Sequence, residues 1–181
     1  IMEYTKTNVF STLYICWGAQ AALYYHYGLN KQILPKKLFG VFKHKTLDKR
    51  SEITRGFDDE IYVPHSRNAT VNKKDIQKVK ELNILVESRT AGVHLAATKD
   101  NRRIFLQGHM EYDKDTLKRE YLRDVKKGIN IGVPVNYFTD NDPEKDVIIK
   151  WSGQGNLFFA NWLNYIYQET PFDLNTLTPL G

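Results

Sequence analysis

The chain predicts an α/β fold, a β-sheet with helices on both faces, and two observations point there. Short apolar runs rich in β-branched and aromatic residues alternate with stretches whose apolar residues recur at helical spacing. The run Leu13-Tyr14-Ile15 also passes at once into Cys16-Trp17-Gly18-Ala19, an abrupt change from strand to helix composition. No internal repeat or low-complexity segment interrupts this alternation, and one domain spanning residues 1–181 is expected.

Taken in order, residues 12–16 form a strand and residues 18–27 a helix, closed by Gly28 in the position of a left-handed cap. Residues 38–43 and 61–63 are strands, the second stopped by Pro64. Residues 73–82 are helical, with Asn72 placed to cap them. Three further strands follow at 84–87, 92–98 and 103–107. Residues 113–127 make an amphipathic helix whose apolar face is Leu117, Tyr121 and Val125, at spacing four. Pro134 and the stretch 140–143 mark a loop region. The last helix, 156–168, buries Leu157, Trp162, Leu163 and Ile166, and the tail from Pro171 is irregular.

Composition narrows the function. With 41% hydrophobic and 26% charged residues the chain is globular in character, and no apolar run nears the ~20 residues of a membrane-spanning helix. A single cysteine excludes an internal disulfide framework and a cysteine-rich zinc site, and suits a reducing compartment, so a cytoplasmic location is expected. The net charge is +5, but nucleic-acid binding needs cations gathered on one face. Here they are interleaved with acids: the densest basic stretch, 43–55, is broken by Asp48 and Glu52. No base-stacking motif accompanies it, so neither a nucleic acid nor a membrane is an expected partner. A mild positive field suits an anionic small molecule.

Cys16 is the first candidate for chemistry. A thiol at a sharp strand-to-helix turn is lifted off the carboxyl edge of a sheet, where the free N–H groups of the first helical turn stabilise a thiolate. The Trp17 N–H is then placed to donate to an oxyanion. The competing reading is a buried structural cysteine. Gly108-His109-Met110-Glu111, directly after the strand at 103–107, places a histidine and a carboxylate two residues apart on a curling loop. Such a carboxylate fixes the imidazole tautomer and supports the imidazolium. The other histidines are weaker: His26 is packed between tyrosines on a helix, His44 lies in a basic loop, His94 alternates within a strand, and His65 occupies a polar loop that could line a pocket. None has metal-ligand spacing, so no metal is expected. Lys37, Ser66 and Arg123 complete the candidates, Arg123 as a fork that can clamp a carboxylate in two-point fashion.

Longer blocks carry a resemblance. Ile15-Cys16-Trp17-Gly18-Ala19-Gln20 with Tyr24-Tyr25-His26-Tyr27-Gly28, Pro64-His65-Ser66-Arg67, Gly108-His109-x-Glu111-Tyr112-Asp113, Glu120-Tyr121-x-Arg123-Asp124 and Asn161-Trp162-Leu163-Asn164-Tyr165 resemble the homoserine O-acyltransferase family of methionine biosynthesis, in order and spacing along essentially the whole chain. The resemblance implies a flavodoxin-like sheet of the class I glutamine amidotransferase type. It also implies transfer of an acetyl or succinyl group from acetyl-CoA or succinyl-CoA to L-homoserine, by a protein with no resident cofactor that is a homodimer. Cys16 matches the family's acyl-thioester nucleophile, His109 its proton acceptor and Glu111 the third member; Lys37, Ser66 and Arg123 match substrate-contact positions.

The departure is length. Family members carry a substantial segment before the strand at residue 12, so the sheet is expected to lack its amino-terminal strands in this chain. The 181 residues alone are expected to be inactive or poorly folded, and robust turnover by them would refute that. Two other readings remain: a glutamine amidotransferase or peptidase relative using the same Cys–His–Glu apparatus on an amide, and a non-catalytic binding module of the same fold.

Overall fold

The structure is a computed structural model and describes residues 1–171. At one edge of the sheet, β1 (Thr12–Ile15) runs parallel to β6 (Arg103–Leu106), with Thr12 opposite Arg103 and Ile15 opposite Leu106. Beyond β6 every neighbour is antiparallel: β5 (Gly92–Thr98), β4 (Leu82–Ser88), β2 (Gln32–Thr46) and β3 (Glu60–Thr70). The six-stranded order is β1-β6-β5-β4-β2-β3.

Helices cover both faces, as the sequence predicts, because successive strand residues point to opposite sides. On β6, Ile104 and Leu106 join a core with Phe158 of α5 (Ser152–Glu169), while Phe105 between them joins one with Ala19, Ala22 and Leu23 of α2 (Trp17–Tyr27). On β1, Leu13 and Ile15 pack towards α5 and Tyr14 towards α2. A third core sets Phe39 and Val41 of β2 against Leu117 of α4 (Thr116–Lys126), with Tyr137, Phe138 and Trp151. α2 stops at Gly28, which is left-handed at φ 68° and donates its N–H to the Tyr24 carbonyl at 2.8 Å.

Several elements differ from the sequence expectation. β2 and β3 are 15 and 11 residues long and form an antiparallel pair whose register shifts between Ile33 and Leu38. His44 and His65, expected in loops, are therefore strand residues, and both are buried. The helix expected at 73–82 is a single turn, α3 (Lys73–Ile76), because the chain must turn to enter β4 at Leu82. α1 (Met2–Asn8) buries no residue and so carries no apolar periodicity that would mark it in the sequence. On α4, Leu117 and Tyr121 face inward as expected, but Val125 is exposed and Asp124 takes the buried position.

Candidate active site

The parallel β1–β6 pair sets two carboxyl ends side by side. Its ladder extends one residue further, the Cys16 N–H donating to the Leu106 carbonyl at 2.7 Å. Cys16 then turns sharply, at φ 53° and ψ −115°, to become the N-cap of α2. That backbone region is sparsely populated by residues other than glycine, and such outliers cluster at functional sites. Three residues beyond Leu106 on the neighbouring strand comes His109.

The 108–112 loop is pinned at each step. The Gly108 N–H donates to His94 Nδ1 at 3.1 Å and the His109 N–H to the Pro64 carbonyl at 2.8 Å. Gly155 of α5 lies so close to the Met110 carbonyl that a Cβ there would sit 2.5 Å from it. Trp151 Nε1 donates to the Tyr112 carbonyl at 2.8 Å. The Tyr112 ring stacks on the His109 imidazole, with centroids 4.1 Å apart. His109 Nδ1 meets Glu111 Oε1 at 2.6 Å, which leaves Nε2 for the thiol.

The electrostatics follow from these contacts. Burial favours the neutral His109 ring, but the Cys16 thiol and then Glu111 outweigh it and raise the pKa to about 9. Burial likewise opposes a Cys16 thiolate, but His109, the Trp17 backbone N–H and the charge of Arg67 lower its pKa below the ordinary value. The two groups thus favour each other's charged form, with pKa values that belong to both together. Trp17 contributes its backbone N–H, while its side chain is exposed.

Lys37, Ser66 and Arg123 are brought together, but beside this pair rather than against it. They line a cavity of about 870 Å³ between β2, β3, α4 and the 129–135 loop; neither Cys16 nor His109 lines it. What joins them is Glu120, which accepts from Lys37 Nζ and Ser66 Oγ, both at 2.7 Å, and lies 3.6 Å from Arg123 Nη2. Asp124 pairs with Arg123 at 2.7 Å and approaches Lys37 at 3.6 Å. Sequence reasoning did not single out Glu120. Its signal was its place three residues before Arg123, on the same helical face. Among the described residues no group of His, Cys, Asp or Glu is placed to hold a metal ion, and no helix is long and apolar enough to cross a membrane.

The fold is that of class I glutamine amidotransferase-like proteins. A glutamine amidotransferase from Thermotoga maritima superposes with a TM-score of 0.59 at 16% identity, covering 92% of this chain and 66% of its own. A second, from Methylobacillus flagellatus, does so at 0.57 and 12%, covering 90% and 66%. On that fold the chain carries a thiol at one strand end and, past the end of the neighbouring strand, an imidazole bonded to a carboxylate. The family model described as homoserine O-succinyltransferase matches residues 1–172, and the chain belongs to that family. Among curated relatives, homoserine O-acetyltransferase 1 of Ilyobacter polytropus is 56% identical over 175 residues, 96% of this chain and 58% of the relative. Homoserine O-acetyltransferase of Clostridium tetani is 57% identical over 175 residues, 95% and 57%. The chain therefore spans less than two thirds of the length of these relatives.

Proposed function

We propose that this chain carries the catalytic centre of a cytoplasmic, homodimeric homoserine O-acyltransferase that works through an acyl-cysteine intermediate. The observation that carries the reading is the alignment of Cys16, His109 and Glu111 at adjoining strand ends, with the thiol and imidazole shifting each other's proton affinity. The Cys16 thiolate attacks the thioester carbonyl of acyl-CoA. The oxyanion takes a hydrogen bond from the Trp17 N–H, and the tetrahedral adduct collapses with expulsion of the CoA thiol, protonated by His109. His109, now neutral and held by Glu111, removes the proton from the homoserine hydroxyl as its oxygen attacks the acyl-cysteine. Collapse of the second adduct releases O-acylhomoserine and returns the thiolate–imidazolium pair. Two half-reactions through one covalent species give ping-pong kinetics.

Lys37, Ser66, Glu120 and Arg123 form a mixed-charge group suited to a zwitterionic amino acid, with Arg123 for its carboxylate. The names of the relatives favour acetyl over succinyl as the acyl group.

Mass spectrometry after mixing the full-length protein with acetyl-CoA or succinyl-CoA tests this reading. An acyl adduct is expected on Cys16, discharged by homoserine and absent in Cys16→Ser. Hydrolysis of glutamine without any CoA-dependent adduct would replace the reading with an amidotransferase, and neither reaction would leave a binding module.

A further inference from the structure

Beneath the reacting pair lies a buried polar array that the mechanism above does not use. His44, His65, His94 and Arg67 are only 1%, 0%, 0% and 5% exposed. Their hydrogen bonds fix every proton. His44 Nδ1–H donates to the Phe42 carbonyl at 2.9 Å, so its Nε2 is bare and accepts from His65 Nε2–H at 3.2 Å. His65 Nδ1 is then bare and accepts from Arg67 Nε–H at 3.2 Å. His94 Nδ1 accepts from the Gly108 N–H. All three rings are therefore neutral, and the guanidinium is the array's one charge.

Arg67 Nη1 and Nη2 donate to the carbonyls of Ala69 and Ala91 at 2.6 and 2.5 Å, and no carboxylate among the described residues pairs with it. An unpaired buried cation is costly to keep. Its position gives a reason to keep it. The Ala69 carbonyl also accepts from Gln20 Nε2 at 2.9 Å, and the Gln20 N–H donates to the Cys16 carbonyl at 3.1 Å. Arg67 is thus linked through the Ala69 carbonyl to Gln20, which is bonded in turn to the candidate nucleophile's own carbonyl. His65, which holds Arg67 Nε, packs directly against Gly108 beside His109.

We propose that Arg67 is a positioning residue, a buried cation whose field holds Cys16 as the thiolate while the neutral His65–His44 relay fixes its side chain. The proposal rests on Cys16 being the nucleophile. Apart from Arg67 on β3, the titratable groups facing the thiol are His109 and Tyr112 of the 108–112 loop, with Glu111 acting through His109.

Because Cys16 is the only cysteine, the pH dependence of its alkylation by iodoacetamide reads its thiolate directly, without turnover. Arg67→Gln and Arg67→Met are expected to raise the midpoint by about one unit, the lower end of what a nearby opposite charge supplies. Arg67→Lys, which keeps the charge, is expected to recover at least half of that. Folded neutral variants that titrate like the wild type would overturn the proposal, as would a lysine variant shifted as far as methionine. If neither neutral variant folds, His109→Gln decides. A midpoint raised by about a further half unit on adding His44→Phe, which removes the acceptor that holds His65 and through it Arg67, supports the proposal, and one left unchanged by that addition overturns the proposal. Absence of an acyl adduct on Cys16 would refute the acyltransferase reading whatever the titration shows.

Discussion

Adding one methyl group beside the His109 imidazole should damage fold and chemistry together. Gly108 packs against β3 so closely that a Cβ would sit 2.6 and 2.7 Å from His65 Cε1 and Nε2, and 2.8 Å from Val63 Cγ1. Ordinary carbon contacts lie at about 3.5–4.0 Å. Neither neighbour can yield: Val63 and His65 are fully buried, and both His65 nitrogens are hydrogen-bonded. Overpacking of this kind costs roughly 1–3 kcal/mol. Displacing His65 also weakens its bond to His44, worth about 1 kcal/mol. Gly108→Ala is therefore expected to lose about 2–4 kcal/mol in urea denaturation followed by circular dichroism, a fall in Tm of roughly 4–16 °C for a domain of this size. His109 is the next residue, so the rate of Cys16 acylation should fall at least about tenfold, as small misplacements of reacting groups commonly cause. Stability within about 0.5 kcal/mol of wild type, with an unchanged acylation rate, would refute the packing argument.

Glu111→Gln keeps the shape of the side chain but removes the charge 2.6 Å from His109 Nδ1. The His109 pKa, held at about 9, should fall, and kcat should drop by on the order of 10³–10⁴ with little change in KM; a loss under threefold in steady-state assays would argue against an orienting role. In acid, the fold should weaken through His44, whose pKa burial lowers to about 4. Between pH 6.5 and 4 the unfolded chain binds a proton that folded His44 does not. Stability should thus fall with pH across that window, by on the order of 3 kcal/mol from this residue, and urea midpoints flat from pH 7 to 4.5 would contradict it. Above neutrality the sign reverses for His109: its contribution is complete below pH 6.5 and is lost as pH rises through about 9. Glu120→Gln releases Lys37, Ser66 and Arg123 from their common acceptor. The KM for homoserine should rise about tenfold while Cys16 acylation by acyl-CoA stays within about twofold, a split that steady-state and single-turnover measurements separate.

What the sequence revealed was local. The strand–thiol–helix turn, the left-handed Gly28 and the strands near 92–98 and 103–107 are carried by contiguous composition. His109 and Glu111 are two residues apart, so their pairing needed no tertiary information. Other features depend on register. His44 and His65 are strand residues because β2 and β3 run far beyond their apolar centres, and their rings meet although the ladder sets Gly40 opposite His65 and Ile61 opposite His44. Period-two burial of histidines looks like a polar loop until the partner strand is known. Pro35, Lys36 and Lys37 likewise hid the first half of β2, which is largely exposed and irregular near Ile33. The role of Glu120 was only partly legible, through its spacing to Arg123. Its three partners come from β2, β3 and its own helix, and only packing gathers them.

The backbone of Cys16 carries one more implication. Its dihedrals are a conformational debt of about 1–3 kcal/mol for any residue with a side chain, and glycine alone escapes most of it. A descendant released from selection for turnover would therefore gain robustness by drifting to glycine at this position, whereas serine or alanine would inherit the tension and gain nothing. Among relatives that keep the surrounding scaffold, a glycine there would be the mark of an enzyme retired to some other trade.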